Sequence, residues 1–364
     1  YNDPQATISM WFNIPADTTV SQTLISKELT FKIRVDTNGA LGVYAGNGYS
    51  PWIVSSPLSD GYTYGEWTNI TVTINSANVV IYKNGRELAN TSGVGTDLSG
   101  TGDFPFNIGG YSNGSDLMTG KVGEVKYYTG IKTAQQILDY YAATVNRYVT
   151  LTSGTSLGFN GTDNQYVVVA DNLADWNLSN NWTIEWWQKI PTSAGGYLSV
   201  LCQDANVPTY SGIDVFINDG AIKMFNGGLQ MSEAAATRDE WNHIAIQKDG
   251  FVVTGYINGV EQTVSGSHSG TIAPSSPLNV VIGSRTADGG ATFYDGQVFN
   301  GELANIRISD IARYTGTFTP PLTVVTDVNT KLSLDGSSGG DGMLVDELAR
   351  HSITNVGAVE DTIV

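Results

Sequence analysis

Cysteine, histidine, basic side chains and long apolar runs are all scarce in this 364-residue chain. A single cysteine, Cys202, excludes an internal disulfide. Small secreted domains lean on such bonds, but a chain long enough for two full cores need not. Only 18 Lys and Arg stand against 35 Asp and Glu, and the formal charge of −17 repels phosphate backbones. A nucleic-acid partner is therefore not expected. No apolar run approaches the roughly 20 residues of a membrane helix, so no membrane insertion is expected either. His243, His268 and His351 are the only histidines, and no Ser-His-Asp motif or phosphate loop occurs. The chain opens on "YNDPQATISMWF", with neither an initiator Met nor a signal peptide. The expectation is that the true N-terminus lies upstream or was removed.

What the chain has in quantity is Gly, Ser, Thr, Asn and aromatic residues, a mixture that suits twisted strands joined by tight turns. It also repeats itself. "EWTNITVTINSANVVIYKNGRE" from Glu66 is answered by "EWNHIAIQKDGFVVTGYINGVE" from Glu240. Trp67 and Trp241 are 174 apart, as are Tyr82 and Tyr256, and Gly85 and Gly259. "ATISMWFNI" likewise matches "WTIEWWQKI", and "FNIGGY" matches "VVIGSR". "GKVGEVKYY" then matches "GELANIRIS" at an offset of 181, the growth being confined to a loop. Matched strands in constant order indicate a duplicated domain.

Each copy reads as antiparallel β. In "NITVTI" the apolar Ile70, Val72 and Ile74 alternate with Asn and Thr, and each Asn-Gly pair suits a tight hairpin turn. One helix is expected in "TAQQILDYYAA", where Thr133 and Gln136 have capping-box spacing and Ile137, Leu138 and Tyr141 form a stripe. The fold class is thus all-β: two tandem antiparallel jelly-roll sandwiches, one short helix between them and a C-terminal extension. The expected boundaries are 1–148, 149–320 and 321–364, the last packing on the second domain or a partner. The second copy has an extra start, "SLGFNGTDNQYVVVADNLADWNLSNN", with no counterpart in the first. A sandwich short of a strand has an open edge, so the missing strand is expected from an upstream segment or a neighbouring subunit.

The segments "SLGFNGTDNQYVVV", "TIEWWQKI", "EWNHIAI", "YINGVE", "VVIGSR" and "FNGELANIRI" resemble, in order, the laminin-G-like and pentraxin-like members of the concanavalin A-type superfamily. That resemblance implies two stacked antiparallel sheets. "GEVKYYTGIKTAQQILDYYAATVNRY", "YTGTFTPPLTVVTDVNTKLSLDG" and "HSITNVGAVEDT" are similar to joints and extensions of laminin-G-like modules in tailed-phage virion proteins. This narrower resemblance implies a virion surface or fibre protein.

Evidence for catalysis is thin. Glucanases of the superfamily carry carboxylates two and four residues apart on one strand, and no strand here does. Asp214 and Asp219 in "GIDVFINDG" have an odd separation that sends them to opposite faces. "TADGGATF" fits a single sialidase-type Asp-box, which is in itself a hairpin turn. His243 is matched by Asn69, an amide that can replace a hydrogen-bonding imidazole but not a general base. No catalytic residue is assigned and no enzyme activity is expected.

Binding is better represented. Resemblance to pentraxins implies calcium in the second domain, with Asp204 and Asn206 of "CQDANV" and Asp288, Asp295 and Gln297 of "IGSRTADGGATFYDGQVFNG" supplying oxygen ligands. Against it, Arg285 stands where pentraxins place a glutamate, and Asp, Asn and Gly also serve simply as turn residues. The first domain keeps only Asp116. Loop aromatics able to stack on sugar rings are Tyr44, Tyr49 and Trp52 in "GVYAGNGYSPW" and Tyr210 in "VPTYSG". The expected function is a non-enzymatic structural or adhesive virion protein, as capsid decoration or a head-fibre or tail-fibre component. Other virion proteins, further copies of itself and host-surface glycans are its expected partners. A calcium-dependent, secreted or cell-surface lectin is the alternative, and a glycan hydrolase comes third.

Overall fold

The computed structural model describes residues 5–15, 20–28, 30–45, 54–55, 61–92, 105–111, 114–149, 154–162, 165–170, 173–178, 181–203, 212–224, 229–266, 272, 278–336 and 342–363. The chain divides into two units, 1–148 and 149–364, each with its own core.

The first unit comprises β1 (Ala6–Asn13), β2 (Gln22–Lys27), β3 (Phe31–Val35), β4 (Leu41–Ala45), β5 (Val54–Ser55), β6 (Thr68–Ile74), β7 (Asn78–Lys83), β8 (Arg86–Ser92), β9 (Phe106–Ile108) and β10 (Lys121–Thr129), then α1 (Ala134–Thr144). One sheet has the order β10-β1-β6-β7-β8, the other β5-β4-β3-β2-β9. Ile8, Met10, Ile70 and Val72 from the first sheet meet Leu24, Ile33, Leu41 and Val43 from the second in a shared core. Alternation along each strand puts these on one face, and burying them is the main stabilising term.

The second unit repeats this frame and adds to it. Its strands are β11 (Thr155–Asn160), β12 (Tyr166–Val169), β13 (Trp182–Lys189), β14 (Leu198–Cys202), β15 (Asp214–Asn218), β16 (Ala221–Met224), β17 (Leu229–Ser232), β18 (Asn242–Asp249), β19 (Val252–Ile257) and β20 (Val260–Gln262). There follow β21 (Val264–Ser265), β22 (Val280–Ile282), β23 (Ser284–Thr286), β24 (Phe293–Val298), β25 (Asn300–Ser309), β26 (Thr330–Leu334), β27 (Ile353–Val356) and β28 (Val359–Thr362). A four-residue helix, α2 (Leu173–Trp176), links β12 to β13. The sheets run β20-β19-β18-β13-β25-β11-β28, with β26 also on β25, and β21-β17-β16-β15-β14-β22-β12-β27.

The duplication extends to register. Ser9 faces Lys126 across β1 and β10, and Glu185 faces Arg307 across β13 and β25, with a bulge just beyond each pair. The stretch from residue 321 contributes β26 to one sheet, β28 beside β11 in that sheet and β27 beside β12 in the other.

Each Asn-Gly turn has positive φ at both residues: Asn84 (51°) and Gly85 (80°), Asn258 (52°) and Gly259 (74°). The asparagine also ties the turn to the neighbouring strand. Asn84 Oδ1 accepts from Asn69 N–H (2.9 Å), and Asn258 Oδ1 from His243 N–H (2.9 Å).

Different segments cover the equivalent outer sheet faces. In the first unit α1 lies there, capped as expected by the Thr133–Gln136 reciprocal bonds, with Ile137 and Tyr141 buried and Leu138 half-buried. Trp11 sits beneath it, stacked on Tyr141 and Tyr148, its Nε1–H donating to Thr144 Oγ1 (3.0 Å). Trp67 is only half-buried, against Tyr148. In the second unit residues 311–329 form a strap, and Trp187 Nε1–H donates to Pro321 C=O (2.9 Å).

Candidate functional site

Among the described residues, three of the polar clusters that folding brings together are built on the sheet faces. The first is sealed. Glu185, wholly buried on β13, accepts from Arg307 Nε (2.7 Å) and from the Tyr314 hydroxyl of the strap, and lies 3.2 Å from His243 Nε2. Burial alone would raise its pKa, but His243, Arg307 and Tyr314 outweigh that and bring it down to about 2. A glycosidase acid needs a carboxyl held protonated, the reverse of this environment. His243 is a hydrogen-bonding member of this structural network, and Asn69, its counterpart, bonds Ser9 Oγ (3.3 Å).

The second cluster lies on the outer face of β2–β3–β4 in the first unit. In "FKIRV" the apolar Phe31, Ile33 and Val35 point inward, which turns Lys32 and Arg34 outward. Tyr44 is directly opposite Lys32 on β4. The loop after β9 contributes Tyr111 and Asp116, the latter at φ 51° with its C=O accepting from Thr23 N–H (2.8 Å). Lys32 Nζ sits 3.1 Å from Asp116 Oδ2, 5.2 Å from the Tyr44 ring centre and 4.8 Å from that of Tyr111. Arg34 bonds Asp36 (2.6 Å) and lies 5.4 Å from the Tyr44 ring. Burial, with Asp36 and Asp116, pushes the Tyr44 phenol up against the pull of Arg34.

The third cluster occupies the matching face of the second unit with the charges exchanged. Asp214 stands on β15 where Lys32 stands on β3, and Arg285 on β23 supplies the cation. Arg285 donates to Asp214 Oδ2 (2.9 Å) and to Gln297 Oε1 (2.9 Å), among the rings of Tyr197, Phe216 and Tyr294. This pair is much more enclosed: the Asp214 side chain is 2 % exposed, that of Asp116 30 %. Cys202 lies beneath, its thiol pushed well up by burial and by Asp214.

Of the calcium ligands expected from sequence, Asp204 and Asn206 fall outside the described residues, as do Tyr49, Trp52 and Tyr210 among the sugar contacts. Asp288 and Gln297 are engaged by neighbours of their own. Asp288 Oδ1 accepts from Thr292 N–H (2.6 Å) and Ala291 N–H (3.1 Å), so it closes its own turn. Gln297 turns its amide oxygen to the Arg285 guanidinium (2.9 Å), and Asp295 is exposed. Among the described residues no three His, Cys, Asp or Glu side chains converge to hold a metal. Tyr44 stands beside Lys32 and Arg34, and Tyr111 beside Lys32; sequence analysis singled out none of these three neighbours. The alternation of "FKIRV", and the place of Tyr111 matching that of Arg285 after Ile-Gly, were the available signals.

The sandwich frame, repeated in register with its outer faces built on matching strands, agrees with the match to known families. A laminin-G-type family model, described as the concanavalin A-like lectin/glucanases superfamily, matches residues 2–138 and 160–315. The chain belongs to this superfamily. The second matched stretch takes in β12, whereas the first starts just ahead of β1. Among curated proteins none matches the sequence. Solved structures similar to this lectin/glucanase-superfamily chain include a candidate carbohydrate-binding protein from Bacteroides ovatus (13 % identity, TM-score 0.45, 99 % of this chain and 93 % of that one). Domains LG4-5 of the mouse laminin α1 chain are another (14 %, 0.32, 88 % and 86 %). The CBM40 of Ruminococcus gnavus IT-sialidase is a third (15 %, 0.33, 38 % and 83 %).

Proposed function

We propose that this chain is a non-catalytic adhesion protein that holds glycans on the outer face of the first unit, around Tyr44, Tyr111, Lys32, Arg34 and Asp116. The observation carrying the reading is Lys32 between two tyrosine rings and a carboxylate, with all of these partly open to solvent. Tyrosine faces and edges accept sugar C–H surfaces, while fixed cations and carboxylates bond hydroxyl groups. The second unit's ion pair is more enclosed and suits a structural role. Superfamily membership favours a carbohydrate ligand.

The expected setting is the surface of a tailed-phage virion, with other virion proteins and further copies of the chain as partners. The phage-like joint segments from Gly123 and Tyr314 support it. Weak single contacts would gain from repetition through effective concentration. Immunogold labelling of intact particles tests this setting, and unlabelled particles would count against it.

The binding test is a glycan array probed with the wild-type chain and with Tyr44→Ala, Tyr111→Ala and Lys32→Ala. Each substitution is expected to weaken binding about tenfold or more, which corresponds to roughly 1.4 kcal/mol. Unchanged array profiles in all three would remove the site. The calcium-lectin alternative requires that a chelator abolish binding. With Arg285 facing Gln297, binding is expected to survive EDTA unchanged.

A further inference from the structure

We propose that His351 is a proton-dependent clasp that holds β27, and the turn before it, on the second unit. The His351 side chain is 0 % exposed and stacks on Trp176 of α2, with ring centres 4.7 Å apart. Its Nδ1 lies 2.9 Å from the Ala170 carbonyl oxygen, and its Nε2 lies 3.1 Å from that of Lys331. Ala170 follows β12 and Lys331 lies on β26, so one ring bridges the two sheets of the unit.

A carbonyl oxygen only accepts, and a neutral imidazole carries a single N–H. Only the imidazolium donates to both oxygens at once. In the neutral ring one nitrogen lone pair faces a carbonyl oxygen, in a site closed to water.

The charges around the ring match the protonated form. Asp175 Oδ2 is 3.6 Å from Nε2, and Asp175 Oδ1 accepts from Arg350 Nη1 (3.0 Å). On the ring's own turn, Asp346 Oδ2 accepts from the backbone N–H groups of Arg350 (3.0 Å) and His351 (3.1 Å). Lys331 on β26 directs its ammonium group to Asp310 (2.8 Å). Asp175 and Asp346 thus stand against Arg350 and the ring, a set that balances when the ring is charged.

Strand β27 hangs on this contact. The Ser352 carbonyl accepts from Ala170 N–H (2.9 Å), and Ile353 to Val356 pair with β12. Loss of the proton therefore loosens β27, while Met343 and Ile363, both buried in the core, keep the flanking chain in place. The clasp is complete below about pH 6.5, where an unfolded histidine is itself protonated, and is lost as pH rises above that. Carboxylates ordinarily ionise well below this range, and Lys and Arg lose their protons well above it.

The test uses the full chain, labelled with nitrogen-15 at histidine, beside His351→Gln. At about pH 7, where a free histidine is mostly neutral, the His351 ring is expected to show two protonated nitrogens. Amide protection factors at Ala170 and over β27 should fall at least tenfold between about pH 6 and pH 9, with β15 and β16 unchanged. His351→Gln cannot change charge and should show low protection there at both values. A bare ring nitrogen on His351 at neutral pH would overturn the proposal, as would wild-type protection that stays flat with pH. An equal fall in His351→Gln would overturn it as well, by assigning the loss to another group. Should His351→Gln fail to fold, the wild-type ring nitrogens and protection factors still decide.

Discussion

Gly85 and Gly259 answer why the same two-residue turn occurs twice. Positive φ is half of the reason. The other half is contact, since each turn is pressed against its covering segment. A Cβ on Gly85 would lie 3.1 Å from Leu138 Cδ1 and Tyr141 Cβ, and one on Gly259 would lie 1.8 Å from Phe318 O. Gly259→Ala is therefore expected to cost more than the roughly 1–2 kcal/mol of a left-handed alanine alone, and Gly85→Ala close to that figure. Urea unfolding followed by tryptophan fluorescence measures both. Glu185 allows a second expectation. Glu185→Gln leaves Arg307 buried without its counter-charge and is expected to cost about 3–5 kcal/mol. Because the folded pKa of Glu185 is depressed to about 2, the folded state binds its proton less readily than the unfolded chain. Its contribution is thus complete above the ordinary carboxylate pKa and is lost as pH falls from about 4.5 towards 2. Unfolding curves of wild type and Glu185→Gln across that range should converge at the acid end.

Helix α1 and the 311–329 strap solve one problem by different means. Both cover a sheet face that carries a tryptophan, Trp11 or Trp187, and both accept its indole N–H. The helix was legible because a capping box and a stripe of Ile137 and Tyr141 are local patterns. The strap was not, since it has no periodic structure and is held by side chains from elsewhere. Gln247 Nε2 donates to Tyr314 C=O (2.7 Å), Asn305 Nδ2 to Leu322 C=O (3.0 Å) and Arg307 to Val325 C=O (2.9 Å). Read as sequence, this Pro/Thr-rich stretch marked the start of an extension. Thr133→Ala is expected to fray the first turn of α1 and cost about 1 kcal/mol. Faster amide exchange over 134–138, with unchanged exchange in β13 and β18, would register it.

The two units share a frame but differ in the number of described strands that build it. The second closes its sandwich with β11, β12 and the three strands after residue 329, while the first leaves apolar side chains at its edge. Less burial per residue means less stability, so the first unit is expected to melt at the lower temperature. Calorimetry should show two transitions, and Ile74→Ala in the first core should move only the earlier one. A single transition shifted as a whole would show that the units unfold together.

Repetition, strand alternation, the Asn-Gly turns and the helix cap were determined by sequence alone, because each depends on neighbours within a few residues or on a pattern repeated along the chain. Tertiary structure decided which polar groups meet. Lys32 and Asp116 are 84 residues apart, and nothing local distinguishes that carboxylate from any other turn aspartate. It also decided the state of the edge. Ile108 and Val122 look in sequence like Ile282 and Leu303, yet one pair is exposed and the other buried. What separates them, among the described residues, is whether another strand lies alongside, and that is set by the fold around them rather than by the residues themselves.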